Sequence, residues 1–330
     1  MRDQFDREIE YMRISVTDRC NLRCQYCMPA TGVKHLLHSE ILSYEEILQI
    51  VRAAARLGVH KIRVTGGEPL VRRGIIDFIR QLKATEGIDK VVITTNGVLL
   101  DEMAADLLDA GIDGVNLSLD TLDAAEFHRI TGKDGLESVL KALDTLLAAP
   151  TCKVKVNCVP IRGFNEDGLM DVAGLARDRA ISVRFIELMP VGFAFEQGMR
   201  GIPMTRVEQL LQERYGPFRA EGDGLPKGDA GPARYVRPMN FQGELGFIDA
   251  LGHKFCASCN RVRLTADGFL KLCLNARTGL DLKALLRQGA DAAEIEEKMR
   301  TAIYRKPREH YFLEKTHDEA DTRRMYQVGG

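Results

Sequence analysis

An α/β fold built on a partial barrel of six strand–helix units, with a C-terminal α+β region over its open side, follows from three features of the sequence. First, short runs rich in Val, Ile and Leu alternate with helix-like segments from about Glu10 to Met189. Such alternation implies a parallel sheet with right-handed crossovers. Second, each run repeats with a period of two, so each strand has one apolar and one polar face. Third, the polar face carries cations, whereas an ordinary closed barrel fills its lumen with branched apolar side chains. An open doubly wound layer is the alternative. Helices would then cover both faces, and both should be apolar.

The strands are expected at 11–16, 60–65, 90–95, 114–119, 153–159 and 182–187. In the first, Ile14 and Val16 oppose Arg13 and Ser15. In the second, Ile62 and Val64 oppose Arg63 and Thr65. Later strands set Val115, Leu117 and Leu119 against Asn116, Ser118 and Asp120, Val154 and Val156 against Lys155 and Asn157, and Val183 and Phe185 against Arg184. The clearest helix is 44–57. Ser43 and Glu46 form a capping box at its start, Ile47, Ile50, Val51 and Ala54 share one face, and Gly58 suits its end. Leu136, Val139, Leu140, Leu143 and Leu147 mark a second helix by the same spacing. The polar lumen implies a polar ligand. Arg13, Arg63, Lys155 and Arg184 point into it, and buried cations call for an anion. Ion pairs with Asp120 and Glu187 are the competing explanation.

Beyond about residue 200 the alternation weakens, which divides the chain into a barrel, 1–200, and a C-terminal region, 201–330. The Gly- and Pro-rich segment 216–232 suits a surface loop. Short antiparallel strands are expected at 233–237, 243–248, 261–265 and 269–274, with a hairpin turn at Asp267-Gly268. Two amphipathic helices follow within 281–303, then a polar tail ending in Gly329-Gly330.

The net charge of −1 lacks the basic excess that broad nucleic-acid binding requires. No apolar run approaches the length of a membrane span, and Met1 to Glu10 lack the apolar centre of a signal peptide. A cytoplasmic protein with neither a membrane nor a nucleic-acid partner is the expectation.

Eight cysteines carry the strongest chemical signal. Cys20, Cys24 and Cys27 form a Cys-x3-Cys-x2-Cys loop, and Cys256, Cys259 and Cys273 form a second trio. Clustered thiols in a reducing compartment point to metal rather than disulfides. A closed zinc site wants four ligands, so three thiols suit an iron–sulfur cube with one open iron. For the first trio the alternatives are part of a zinc knuckle or a run of buried thiols. For the second, His253 could complete a zinc site. Cys152 and Cys158 flank and enter an apolar strand, as packing residues do. The remaining histidines are scattered and suit surface or packing roles.

The first trio, with Tyr26 before its last cysteine and Gly66-Gly67-Glu68-Pro69 after the second strand, resembles the radical S-adenosylmethionine (SAM) superfamily. The Asn96-Gly97 pair after the third strand is a simple turn signal. The second trio, Arg261 and Arg263 beside it, the opening run Arg13 to Asn21, the run Arg184 to Met189 and the glycine tail together resemble one family of that superfamily, the GTP 3′,8-cyclases of molybdenum cofactor biosynthesis. The likeness spans the whole chain.

That resemblance implies a partial (β/α)6 radical-SAM barrel and two 4Fe–4S clusters. The first cluster, on Cys20, Cys24 and Cys27, binds SAM beside Tyr26, Gly67, Ser118 and Met189. GTP meets Arg13, Arg63, Thr94, Lys155, Arg261, Val262 and Arg263. The second cluster, on Cys256, Cys259 and Cys273, offers an open iron to the guanine. A 5′-deoxyadenosyl radical takes hydrogen from ribose C3′, and C3′ then attacks guanine C8. The resemblance further implies a flavodoxin-type electron donor, a cyclic pyranopterin monophosphate synthase as the next enzyme, a monomer or homodimer, and a glycine tail that reaches the active site. A peptide-modifying radical SAM enzyme is the nearest rival, although such enzymes generally carry longer cysteine-rich C-terminal regions. A zinc-dependent nucleotide- or RNA-binding module is the rival of another class.

Overall fold

The computed structural model describes residues 1–219, 231–312 and 323–329. Six parallel strands run in sequence order: β1 (Tyr11–Ser15), β2 (Lys61–Thr65), β3 (Lys90–Thr95), β4 (Gly114–Ser118), β5 (Lys153–Cys158) and β6 (Ser182–Ile186). Helices α1 (Tyr44–Arg56), α2 (Ile75–Lys83), α3 (Leu100–Asp109), α4 (Ala124–Thr131), α5 (Leu136–Leu147) and α6 (Leu169–Gly174) supply the crossovers. The expected strands are all present, within about a residue at each end. In α1, Ser43 Oγ accepts from the Glu46 amide at 3.1 Å and Glu46 Oε2 accepts from the Ser43 amide at 2.7 Å, which closes the capping box. Ile47, Ile50, Val51 and Ala54 are buried, as their spacing requires.

The C-terminal region departs from expectation in strand direction. It contributes α7 (Phe193–Glu196), α8 (Met204–Tyr215), β7 (Phe218–Arg219), β8 (Arg234–Pro238), β9 (Glu244–Ile248), β10 (Arg261–Leu264), β11 (Phe269–Lys271), β12 (Gly279–Asp281), α9 (Leu282–Arg287), α10 (Ala292–Tyr304) and α11 (Met325–Val328). Two of its strands pair antiparallel on one side and parallel on the other: β9 with β8 and β6, and β10 with β11 and β1. The physical reason lies at the barrel's edges. An open parallel sheet leaves unpaired backbone groups on its first and last strands, and an added strand satisfies them. The result is one open sheet in the order β12-β11-β10-β1-β2-β3-β4-β5-β6-β9-β8-β7, continuous across residue 200. Strands β8 and β11 pair antiparallel, as expected, although β11 ends at Lys271, short of the expected 274; β12 is a further antiparallel strand beyond those expected. Of the segment expected as a surface loop, residues 220–230 lie outside the described residues, as does Gly330.

One face of the sheet packs on the helices and forms the main core, including Ile14, Ile62, Val64, Val115, Val156, Val183 and Phe185. Cys158 and Cys152 are buried in that core, in their expected packing role. The opposite face is also withdrawn from solvent, with Arg63 9%, Arg184 6% and Asn116 3% exposed. Among the described residues no helix is long and apolar enough to cross a membrane.

Candidate active site

The polar strand faces line a cavity of about 350 Å³. Register places its cations in rows. Arg263, Arg13 and Arg63 are paired positions on the adjacent strands β10, β1 and β2. Arg261, Tyr11 and Lys61 form the next row. Lys155 and Arg184 face the cavity from β5 and β6. Among the described residues no carboxylate lies within ion-pair distance of Arg13, Arg63, Arg184, Arg261 or Arg263. The expected competitors are engaged elsewhere. Asp120 accepts from Tyr26 Oη at 2.6 Å and from the Val159 amide at 2.9 Å. Glu187 accepts from the Leu251 amide at 2.7 Å. Burial first, then the neighbouring guanidiniums, brings Arg63 down to about 9 and lowers Arg263 well below the ordinary arginine range. Arg13 Nε, Arg63 Nε, Arg184 Nε, Thr94 Oγ1 and Tyr11 Oη are buried with no hydrogen-bond partner. Buried polar atoms are ordinarily satisfied, so this set describes the outline of a polar, anionic ligand.

Both thiol trios line this same cavity. Around the first, burial pushes the Cys20 thiol up to about 11 and Cys27 to about 12, and holds Cys24 well above the ordinary thiol range. Arg23 acts against that cost at Cys20 alone, as the weakest of the influences there, so bound iron is the charge that would ionise these thiols. Around the second trio, burial opposes ionisation of Cys259, but Lys306 and Arg261 overcome it and bring the thiol down to about 7. His253 is not a fourth ligand: its side chain is 85% exposed and its Nδ1 bonds Asp249 at 2.8 Å. Among the described residues no three Cys, His, Asp or Glu side chains converge on a single ion. The ligands of a cube each meet a different iron, so their sulfurs stay apart, and the trios fit that donor set.

The glycines after β2 pack against the first cysteine loop. Neither Gly66 nor Gly67 has positive φ. A Cβ on Gly67 would lie 2.3 Å from the Arg19 carbonyl oxygen, and one on Gly66 2.6 Å from that of Thr17. Gly67 N donates to Thr17 O at 2.7 Å and Glu68 N to Arg19 O at 2.8 Å. Their smallness therefore docks this loop against the loop that leads into Cys20. Buried Glu68 accepts from Leu70 N, Thr95 Oγ1 and Asn96 N. Asn96 in turn donates to Asn21 Oδ1 at 2.8 Å and approaches Cys20 Sγ at 3.8 Å. What the sequence presents as a plain turn thus braces the first cysteine loop.

Tyr26, Gly67, Ser118 and Met189 line the chamber, as do Thr94 and Lys155. Val262 does not present its side chain there; it is 1% exposed and packs in the core, because it alternates with Arg261 and Arg263. Three further groups line the cavity. Tyr11 follows from the alternation already visible in β1. Lys306 and His310 had no sequence signal; His310 is buried, with Nε2 on Ala250 O at 2.8 Å, as the packing role expected of the histidines allows. The tail enters too. Met325 and Tyr326 line the chamber, and Arg263 Nη1 donates to Gly329 O at 2.6 Å.

Comparison with known proteins accords with this geometry. Residues 14–176 match the radical SAM superfamily, and residues 181–312 match the family described as Molybdenum Cofactor Synthesis C. The fold is shared with Streptococcus suis SuiB bound to S-adenosylmethionine, at a TM-score of 0.62 and 14% identity, covering 90% of this chain and 68% of that one. Fold and cysteine loop thus define a radical SAM protein, a class that carries a 4Fe–4S cluster and SAM. The chain is similar over its whole length to the GTP 3′,8-cyclases of Pelotomaculum thermopropionicum (46% identical) and Moorella thermoacetica (42%), with all of each relative covered. It belongs to the GTP 3′,8-cyclase family.

Proposed function

We propose that this chain converts GTP to 3′,8-cyclo-7,8-dihydro-GTP, the opening step of molybdenum cofactor biosynthesis. The observation that carries the reading is one chamber lined by two thiol trios and by guanidiniums that lack acidic partners. Cys20, Cys24 and Cys27 hold the first cluster, with SAM against Tyr26, Gly67, Ser118 and Met189. Cys256, Cys259 and Cys273 hold the second, which faces the guanine. When bound, the first cluster and SAM supply a one-electron cleavage and a radical able to take hydrogen from ribose C3′.

The chain's own residues do the rest. Arg13, Arg63, Lys155, Arg261 and Arg263 neutralise the triphosphate and orient the base, and Thr94 Oγ1 bonds the substrate. Val262 contributes its main chain only. The enclosing loops and the tail exclude water from a reactive intermediate. Fixing C3′ and C8 within bonding reach is the positioning that ring closure needs. Residues 1–200 form the unit that cleaves SAM, and 201–330 complete the substrate site. A flavodoxin-type donor supplies two electrons in all, one for SAM cleavage and one that, with a proton, reduces the purine radical left by ring closure to the 7,8-dihydro product. The product passes to a cyclic pyranopterin monophosphate synthase, in the cytoplasm, from a monomer or homodimer.

Anaerobic incubation with SAM, reductant and GTP deuterated at C3′ tests this. Deuterium should appear in 5′-deoxyadenosine, and the cyclised product should retain the triphosphate mass. Deoxyadenosine without deuterium, or protein that takes up only zinc, would overturn it.

A further inference from the structure

We infer that the buried pair Asp3–Arg7, at the start of the chain, is a positioning clamp for the second thiol trio; this rests on the two-cluster reading above. In the sequence the first ten residues are merely charged and polar. In the fold, Asp3 and Arg7 side chains are 0% and 5% exposed. Arg7 Nε donates to Asp3 Oδ2 at 2.7 Å, and Nη2 pairs with the same oxygen at 2.6 Å. Asp3 Oδ1 accepts the amides of Phe5 and Arg7 at 2.9 and 3.0 Å, which fixes the turn.

The rest of the guanidinium crosses to two distant segments. Nη1 donates to Cys256 O at 2.9 Å and to Arg308 O at 2.9 Å. Nη2 donates to Pro307 O at 2.7 Å. All five N–H groups are thereby used, in a fork that only arginine offers. Gln4 adds bonds to the carbonyls of Tyr304 and Lys306, at 3.0 and 3.3 Å.

Each contact leads to the trio. Cys256 is a member of it. The 306–308 segment carries Lys306, which is buried and donates through Nζ to the carbonyl of Leu272, the residue before Cys273. One guanidinium therefore holds the backbone at Cys256 and, through the segment that carries Lys306, the approach to Cys273. None of its contacts reaches the first trio, so Arg7 is a positioning residue for one cluster alone.

The test uses anaerobically reconstituted enzyme. Wild type should hold about eight irons per chain, and Arg7→Lys about four. The EPR signal of the first cluster, and its change on adding SAM, should be intact in the variant, with the second signal lost. The double variant Asp3→Ala/Arg7→Met removes the buried charges together, so any general loss of stability from an unpaired carboxylate is absent. It should melt close to wild type and still lack the second cluster. Full second-cluster occupancy in the double variant, or parallel loss of both clusters in Arg7→Lys, would overturn the clamp. Wild type with only about four irons would overturn the two-cluster reading and the clamp with it.

Discussion

Arg63→Met is expected to move two measurements in opposite directions. Arg63 is 9% exposed and sits in a row with Arg13 and Arg263. Burial and the charges of Arg13, Arg184 and Arg261 bring its pKa from 12.5 to about 9. At about 1.4 kcal/mol per unit this corresponds to roughly 5 kcal/mol against the charged form. Below pH 9 the guanidinium is charged both folded and unfolded, so the penalty is fully present at neutral pH. Water relaxation and the lost contact with the Tyr11 ring, at 5.5 Å, reduce the recoverable part to about 1–3 kcal/mol. Without GTP the variant should therefore melt a few degrees higher than wild type. With GTP the order reverses. Truncating one partner of a buried charge pair costs about 2–5 kcal/mol, or roughly thirtyfold to a few thousandfold in Kd. Anaerobic calorimetry with GTP, alongside melting curves with and without it, reads both quantities. A variant that melts lower and binds GTP as well as wild type would show Arg63 to be a structural cation and refute the anion-site argument.

Three other outcomes are expected. Gly329→Ala should cut product formation at least tenfold with little change in melting: Gly329 has φ +77°, and a Cβ would lie 2.3 Å from Thr65 Cγ2, so the tail must leave Arg263. At φ +77° and ψ 123° the backbone lies outside the regions an alanine ordinarily adopts, a strain of about 1–3 kcal/mol, and unchanged turnover would mean the tail is idle. Burial, opposed by hydrogen bonds from Asn96, Thr95 and Leu70, raises the Glu68 carboxyl to about 7. Its folded pKa lies above its unfolded one, so its contribution to stability is full below about pH 4.5 and is lost as pH rises through 7; urea unfolding at pH 6 and 8 should show that fall in wild type and not in Glu68→Gln. Lys271, fully buried with Nζ on Ala276 O at 2.7 Å, is lowered to about 7 mainly by burial. The unfolded chain binds the extra proton between about 7 and 10.5, so stability should rise across that window, and Lys271→Met should flatten the rise.

The barrel was legible because its strands have two unlike faces, and the alternation of Arg13 with Ile14 or Arg63 with Val64 survives in the fold as lumen against core. The trios were legible because spacing is local. What could not be read depends on contacts far apart in the chain. The parallel pairing of β9 and β10 is set by the unsatisfied edges of β6 and β1, not by residues within those strands. His310 and Lys306 sit in a polar stretch with no periodicity, and contacts from residues far away in sequence, Arg7 to Arg308 O, Leu272 to Lys306 and Ala250 to His310, hold that stretch at the chamber. Val262 shows the reverse case: a residue between two arginines on a strand faces its side chain away from them, which leaves it only its main chain to offer.

The two ends of the chamber differ in their ionisable groups. Around Cys20, Cys24 and Cys27 the nearby ionisable groups include Glu68 and Asp120, both enclosed, and burial holds all three thiols protonated until metal arrives. Around Cys259 the neighbours are Lys306 and Arg261, and the thiol ionises near neutrality. The rows of arginines on β10, β1 and β2 attract a polyanion, and they border the second trio, because β10 follows directly from Cys259. The substrate placement proposed above follows that asymmetry: the triphosphate meets the arginine rows, and the end next to the first trio is left to the ligand that carries the radical chemistry.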